Sequence, residues 1–223
     1  MGAEMANAIT LFRLTLLFVL VAMAYWAAPH WQLVDAPLLL LIIALDGLDG
    51  WVARRRGEAS TFGAVFDIAV DRVVEAVLWL VLAHLGLVPV WVAIVFITRG
   101  LIVDAVRYGK VAEGEAVFSM RSRLGRFLVA SRFMRGAYGA LKAATFGWLF
   151  LIQPWPLLHR QSWMAWEPLV EPLTAALIYA TVAVCLARGL PVIVEFVRGS
   201  DAFGGIRAPS KRAPYDLPPQ QAA

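Results

Sequence analysis

Asp46-Gly47-Leu48-Asp49-Gly50-Trp51-Val52-Ala53-Arg54 is followed, after eight residues, by Gly63-Ala64-Val65-Phe66-Asp67-Ile68-Ala69-Val70-Asp71. Four aspartates thus fall within one short stretch of an otherwise greasy chain. Carboxylates inside apolar segments are expensive to desolvate, so each is a candidate functional group. Asp46 and Asp49 are three apart and share a helix face. Asp67 and Asp71 are four apart, and Gly63 lies four before Asp67, so these three form one stripe on the next helix. The stretch 54–62 is long enough to turn the chain. Two antiparallel helices can then present four carboxylates to a common cavity.

Four such groups within a few ångströms would repel, and some would take up protons. Divalent cations resolve the conflict. Mg²⁺ takes carboxylate oxygens and shares its coordination shell with substrate phosphates. Two ions can clamp a phosphoryl group and stabilise both the entering and the leaving oxygen. Glycines on the carboxylate face let a flat base or a ribose approach the backbone. Arg54 offers a planar fork for a phosphate. Plainer readings stand beside these. Gly47 fits ordinary close helix packing, and a single pair of intramembrane aspartates also suits a proton relay or a salt bridge.

The elements that must position these groups are membrane helices. The chain has 223 residues, 61% of them hydrophobic, against about 45–50% in a soluble domain. Its mean hydropathy is +0.70. Six segments have the length and apolarity of spans, at 8–28, 34–53, 62–86, 88–106, 127–152 and 168–197. Leu38–Leu45 runs straight into Asp46, which puts the aspartates near a membrane–water boundary. The first segment is longer than the apolar core of a signal peptide and is followed by five more, so it is read as a span. Met1-Gly2-Ala3-Glu4 lacks the myristoylation pattern, because position 6 is Ala6. Met5 is a candidate native start.

Charge sets the orientation. The net charge is +4, from 20 Lys+Arg and 16 Asp+Glu. With a cytoplasmic N-terminus, the inside segments hold Arg54, Arg55, Arg56, Arg107, Lys110, Arg121, Arg123, Arg126, Arg198, Arg207, Lys211 and Arg212. The outside loops hold Arg160. This is positive-inside asymmetry, and the basic face meets an anionic leaflet. The lone Cys185 cannot form an internal disulfide and reads as a small buried apolar residue. His30, His84 and His159 fall in or near the outside loops. The Gly-, Pro- and charge-rich stretch after Gly199 reads as a mobile tail.

The run D-x2-D-G-x2-A-R-x8-G-x3-D-x3-D resembles the signature of the CDP-alcohol phosphotransferases, membrane enzymes of phospholipid synthesis. Asp46, Asp49, Gly50, Ala53, Arg54, Gly63, Asp67 and Asp71 fill every specified position. The resemblance implies six transmembrane helices around the site, with Mg²⁺ or Mn²⁺ as cofactor in two sites. Asp46, Asp49 and Asp67 would ligate metal. Asp71 would lie near the second ion and act as the base that deprotonates the acceptor hydroxyl. Gly50 and Gly63 would make room for cytidine, with Ala53 beside them, and Arg54 would bind the diphosphate. Asn7 and Thr10, in Asn7-Ala8-Ile9-Thr10-Leu11-Phe12-Arg13, are similar to the family's N-x-x-T opening of the first helix and join the donor-binding set.

Weaker similarity reaches phosphatidylglycerophosphate synthases within that family. Arg99 and Arg107, then Leu124-Gly125-Arg126, are similar to their Arg-Glu pair, later Arg, and Gly-Lys-x-Lys-Thr run. Gly100 stands where Glu is usual, Arg126 replaces the first Lys, and Leu128 and Val129 replace the Lys-Thr. Ile68-Ala69-Val70-Asp71-Arg72 differs from their usual Pro-Leu-Ala-Asp-Lys, and its Asp-Arg is nearer to inositol-type synthases. Arg132, Arg135 and Lys142 fall in the fifth segment, where cations must face the bundle interior or snorkel to an edge. Capture of a phosphorylated acceptor is one reading of them; pairing with Glu75 or Asp104 is the other. The acceptor site is expected at Arg99, Arg107, Arg126, Arg132 and Arg135.

The expectation is an all-α integral membrane protein, six helices around a polar, cytoplasm-facing metal site. Residues 1–198 would form the catalytic domain and 199–223 a flexible cytoplasmic tail. It would be a multi-pass protein of the cytoplasmic membrane with both termini inside. It would move a phosphatidyl group from CDP-diacylglycerol to a small polar alcohol, with glycerol 3-phosphate favoured and inositol or inositol phosphate as alternative, and release CMP. A homodimer is the candidate assembly, and no nucleic-acid partner is expected. A membrane prenyltransferase and a cation or proton transporter are the remote rivals. The first would carry its acidic clusters on helices far apart in sequence, and the second often interrupts helices at the midplane.

Overall fold

The computed structural model describes the backbone of residues 2–56, 61–112 and 125–199, and side chains outside 2–7, 48–56, 61–62, 64, 110–112 and 199. The described residues contain no strand. Six long helices account for nearly all of them: α1 (Gly2–Trp26), α2 (Asp35–Arg56), α3 (Thr61–His84), α4 (Val90–Ala112), α5 (Arg132–Ile152) and α6 (Arg160–Gly199). Single helical turns at Pro29–Gln32 and Trp155–Leu158 join α1 to α2 and α5 to α6.

The helix ends follow local chemistry. α3 stops at His84 because Gly86 adopts φ +74°, a left-handed conformation that costs a glycine little. The Leu87 N–H then donates to the Leu82 carbonyl at 2.9 Å, and Gly86 N–H to Ala83 at 3.1 Å, closing the helix with a Schellman motif. α5 starts at Ser131, whose hydroxyl accepts from the Met134 N–H at 3.5 Å. The fifth apolar segment, expected as one run over 127–152, is therefore divided. Arg126–Ala130 forms a π-helical turn before the Ser131 cap. α6 begins eight residues before the expected span and continues through Pro168, Pro172 and Pro191.

The main packing contacts close a ring in the order α1, α2, α5, α6, α4, α3 and back to α1. The apolar core fills the half of the bundle away from the aspartates. Leu17, Leu20, Leu39, Leu78, Leu82, Val92, Leu149 and Phe150 are fully buried there. Trp79 of α3 is its centre, stacked on Phe96 of α4 with centroids 4.2 Å apart and tilted against Phe146 of α5 at 4.6 Å. Offset aromatic contacts of this kind add directional packing to area burial. α5 and α6 are pinned by a buried Thr145–Thr181 hydroxyl pair at 2.8 Å, and by the Trp148 indole N–H donating to Thr174 at 2.8 Å.

The outer surface is apolar, with Phe12, Phe18, Leu40, Leu101, Phe133 and Leu169 among many large exposed hydrophobic side chains. A water-soluble monomer rarely shows such continuous apolar area. Ala8–Trp26, Pro29–Gly47 and Arg160–Arg198 are each long and apolar enough to cross a membrane. α3, α4 and α5, expected as spans as well, carry several charged residues each and are not among these three.

Candidate active site

All six long helices contribute to one cavity of about 410 Å³. Its floor is the apolar core, through Ile42, Leu78 and Phe146. Its walls divide into an acidic and a basic side.

On the acidic side Asp46 of α2 and Asp71 of α3 line the cavity, and Asp67 of α3 stands beside them. One oxygen from each carboxylate lies within 4.8 Å of the others. Hard carboxylate oxygens at this spacing fit a divalent cation. The three side chains are 39–45% exposed, so they open outward. Beneath them is Arg13 of α1, whose side chain is only 3% exposed. Its Nη2 lies 2.6 Å from Asp46 Oδ1 and donates to Asp71 Oδ1 at 2.8 Å. Its Nη1 donates to Asp67 Oδ1 at 3.3 Å. A single guanidinium therefore ties three carboxylates from two helices. Thr10, also buried, lies three residues before it on α1. Gly63 is half-buried one turn before Asp67.

The basic side begins with a charge chain. Arg107 is 3.9 Å from Asp104. Arg72 makes a two-pronged contact with Asp104, Nη2 donating to Oδ1 at 3.1 Å, and reaches Glu75 at 3.1 Å. Lys142 Nζ then donates to Glu75 at 2.9 Å. The chain links α4 through α3 to α5 and alternates in sign. Three cations also surround the Tyr138 ring: Lys142 at 4.8 Å from its centroid, Arg188 at 5.4 Å and Arg99 at 6.0 Å. Arg188 is also fixed through Nη1, which donates to the Leu128 carbonyl of the π turn at 2.5 Å. With Arg135 at the rim, this side holds six cations against Glu75 and Asp104. That excess is suited to a phosphorylated, anionic ligand.

Asp46, Asp67 and Asp71 converge as the spacing implied. Arg99, Arg107 and Arg135 line the same cavity, whereas Arg126 and Arg132 are exposed and do not line it. Asn7, Asp49, Gly50, Ala53 and Arg54 lie on the backbone of α1 and α2, with side chains outside the described residues, as does the whole 200–223 tail. Sequence reasoning assigned no role to Arg13, Arg72, Tyr138 or Arg188. Arg13 and Arg188 did carry a signal: each is a charge inside a long apolar segment. Lys142 was open between acceptor and Glu75, and it meets Glu75.

A ring of helices with an apolar outer face thus surrounds a carboxylate cluster and an adjoining basic pocket, an arrangement whose chemistry suits phosphate groups. Residues 3–187 match the CDP-alcohol phosphatidyltransferase family model, and the chain belongs to that family. It is 29% identical over 131 residues to a protein of Mycobacterium tuberculosis named "Probable phosphatidylglycerophosphate synthase", a match covering 57% of this chain and 63% of that one. It is 27% identical over 126 residues to the CDP-diacylglycerol–glycerol-3-phosphate 3-phosphatidyltransferase of Bacillus subtilis, covering 51% and 65%. It is 34% identical over 95 residues to the archaetidylinositol phosphate synthase of Aeropyrum pernix, covering 41% and 46%. The chain thus aligns with less than two thirds of the length of these curated relatives.

Proposed function

We propose that this protein transfers a phosphatidyl group from CDP-diacylglycerol to a small phosphorylated alcohol and releases CMP. The observation that carries this reading is one cavity lined on one side by Asp46 and Asp71, with Asp67 beside them, and on the other by six cations. Bound Mg²⁺ or Mn²⁺, in two sites, would neutralise the donor diphosphate and stabilise the departing CMP oxygen. Asp46, Asp67, Asp71 and Asp49 would hold it. Arg54, Gly50, Ala53, Gly63, Asn7 and Thr10 serve the cytidine-diphosphate side.

Asp71 takes the proton from the acceptor hydroxyl. The freed oxygen attacks the β-phosphorus in line, the bond to the CMP oxygen breaks, and the phosphatidyl group ends on the acceptor. Arg99, Arg107, Arg135 and Arg188 hold the acceptor phosphate in the meantime, with the hydroxyl directed back toward Asp71. Arg126 and Arg132, exposed near the entrance to α5, serve phosphate attraction rather than final binding. The acyl chains stay in the bilayer. The site faces the cytoplasm, where the basic segments meet the anionic leaflet.

Glycerol 3-phosphate is the acceptor we favour, in keeping with the names of the Mycobacterium and Bacillus relatives. Inositol phosphate is the second reading, favoured by Asp71-Arg72 and by the name of the Aeropyrum relative. The test is CMP release by the purified full chain with CDP-diacylglycerol and a panel of glycerol, glycerol 3-phosphate, inositol and inositol phosphate. One phosphorylated acceptor should exceed its unphosphorylated partner by at least roughly tenfold, the worth of one charge-assisted contact. Preference for an unphosphorylated alcohol would overturn the acceptor assignment.

A further inference from the structure

Arg13 lies where three carboxylates converge, and it is the most deeply buried charge of the acidic side. Asp46, Asp67 and Asp71 place oxygens within 4.8 Å of each other. Like charges so close disfavour the ionised cluster unless a cation compensates them. The guanidinium provides that cation from within the fold. Its planar fork spans α2 and α3 at once, which a point charge such as an ammonium does less well. The geometry is also directional. Arg13 meets the oxygens from the buried side, while the carboxylates open to the exposed side, from which a metal ion would come.

We propose that Arg13 is a tethered counter-cation of the aspartate cluster. It gathers the three carboxylates and competes with a divalent cation for their oxygens. A metal ion adds two positive charges within a few ångströms of the guanidinium, so the ion and the three Arg13 contacts oppose each other. Binding must weaken those contacts and turn the fork toward the cavity that Arg13 already lines. Metal affinity is therefore lower than Asp46, Asp67 and Asp71 alone would give. The inference rests on the metal-site reading above and adds a residue that opposes the ion instead of holding it.

The test is Mn²⁺ binding to the purified full chain in detergent, followed by paramagnetic resonance, together with thermal unfolding in chelator and in Mn²⁺. Arg13→Gln keeps a polar side chain and removes the charge. It should tighten Mn²⁺ binding by roughly tenfold to a hundredfold, corresponding to one or two charge-assisted contacts no longer broken. It should also lower the melting temperature in chelator and widen the gain on adding Mn²⁺. Unchanged or weaker Mn²⁺ binding would overturn the proposal. If Arg13→Gln does not fold, Arg13→Lys decides: its shorter, single-point charge should tighten binding several-fold, and equal or weaker binding again overturns the idea. A wild-type chain that binds no Mn²⁺ would instead remove the metal site itself.

Discussion

Arg99 crosses α6 at Gly189: a β-carbon at position 189 would stand 2.7 Å from Arg99 Nε and 2.8 Å from its Cγ. The missing side chain lets the arginine stem lie across the helix and bring its guanidinium over Tyr138. Real side chains do not tolerate such distances. Gly189→Ala should therefore displace Arg99 from the basic pocket. The acceptor KM should rise roughly tenfold, the worth of one charge-assisted contact, with donor affinity little changed. Steady-state kinetics with each substrate varied in turn would read this split. Gly189→Ala should add little to Arg99→Ala, because both remove the same guanidinium. Full additivity would show that Gly189 serves packing alone.

Arg188 joins three things: the Tyr138 ring, the Leu128 carbonyl and the cavity. Arg188→Gln should raise the acceptor KM by roughly tenfold to a hundredfold, while CDP-diacylglycerol binding stays near wild type. Arg188→Lys should not rescue it fully, since an ammonium cannot serve both carbonyl and phosphate with a planar fork. Parallel donor-binding and acceptor-kinetic measurements check both statements.

Glu75 is shared by Arg72 and Lys142. Glu75→Gln leaves two cations facing each other across α3 and α5 without their common carboxylate. Breaking a fully buried pair costs about 3–5 kcal/mol. Arg72 is 35% exposed here, and solvent screens it, so about 1–2 kcal/mol is expected. A lower unfolding midpoint in detergent, partly recovered by Lys142→Met, is the expected result. No change in the midpoint would remove the charge chain from the account of stability.

Much of this was legible in the residues. The Asp46–Asp71 spacing implied two helices and one carboxylate face, and α2 and α3 bring Asp46, Asp67 and Asp71 together. Apolar run lengths marked the six long helices, three of which are long and apolar enough to cross a membrane. The break at Ser131 was harder to see. The apolar pattern runs on through 127–152, and only a hydroxyl that accepts from Met134 sets the boundary. The start of α6 was hidden by Pro168 and Pro172, which argue against helix locally but are accommodated here.

The basic pocket was only half legible. Arg99 and Arg107 could be found from a motif. Arg188 is far along the chain from them and meets them only because α6 closes the ring against α4 and α5. Arg13 is a charge inside an apolar segment, a signal the spacing argument did not use, and its partners are 33, 54 and 58 residues away. Spacing within one helix carries no information about such pairs. Arg126 was read as a pocket residue from its place after Gly125, but the π turn leaves it exposed.

The most direct measurement is CMP release from CDP-diacylglycerol, with glycerol 3-phosphate as acceptor, by the purified chain and its Asp71→Asn variant, each with Mg²⁺ and after chelation. The amide nearly keeps the shape of Asp71 but cannot take a proton. Wild type should turn over only with the cation. Asp71→Asn should lose on the order of a hundredfold or more in rate, the usual contribution of a general base, while still binding the donor. Turnover that survives chelation undiminished, or an Asp71→Asn enzyme that keeps most of the wild-type rate, would contradict the account.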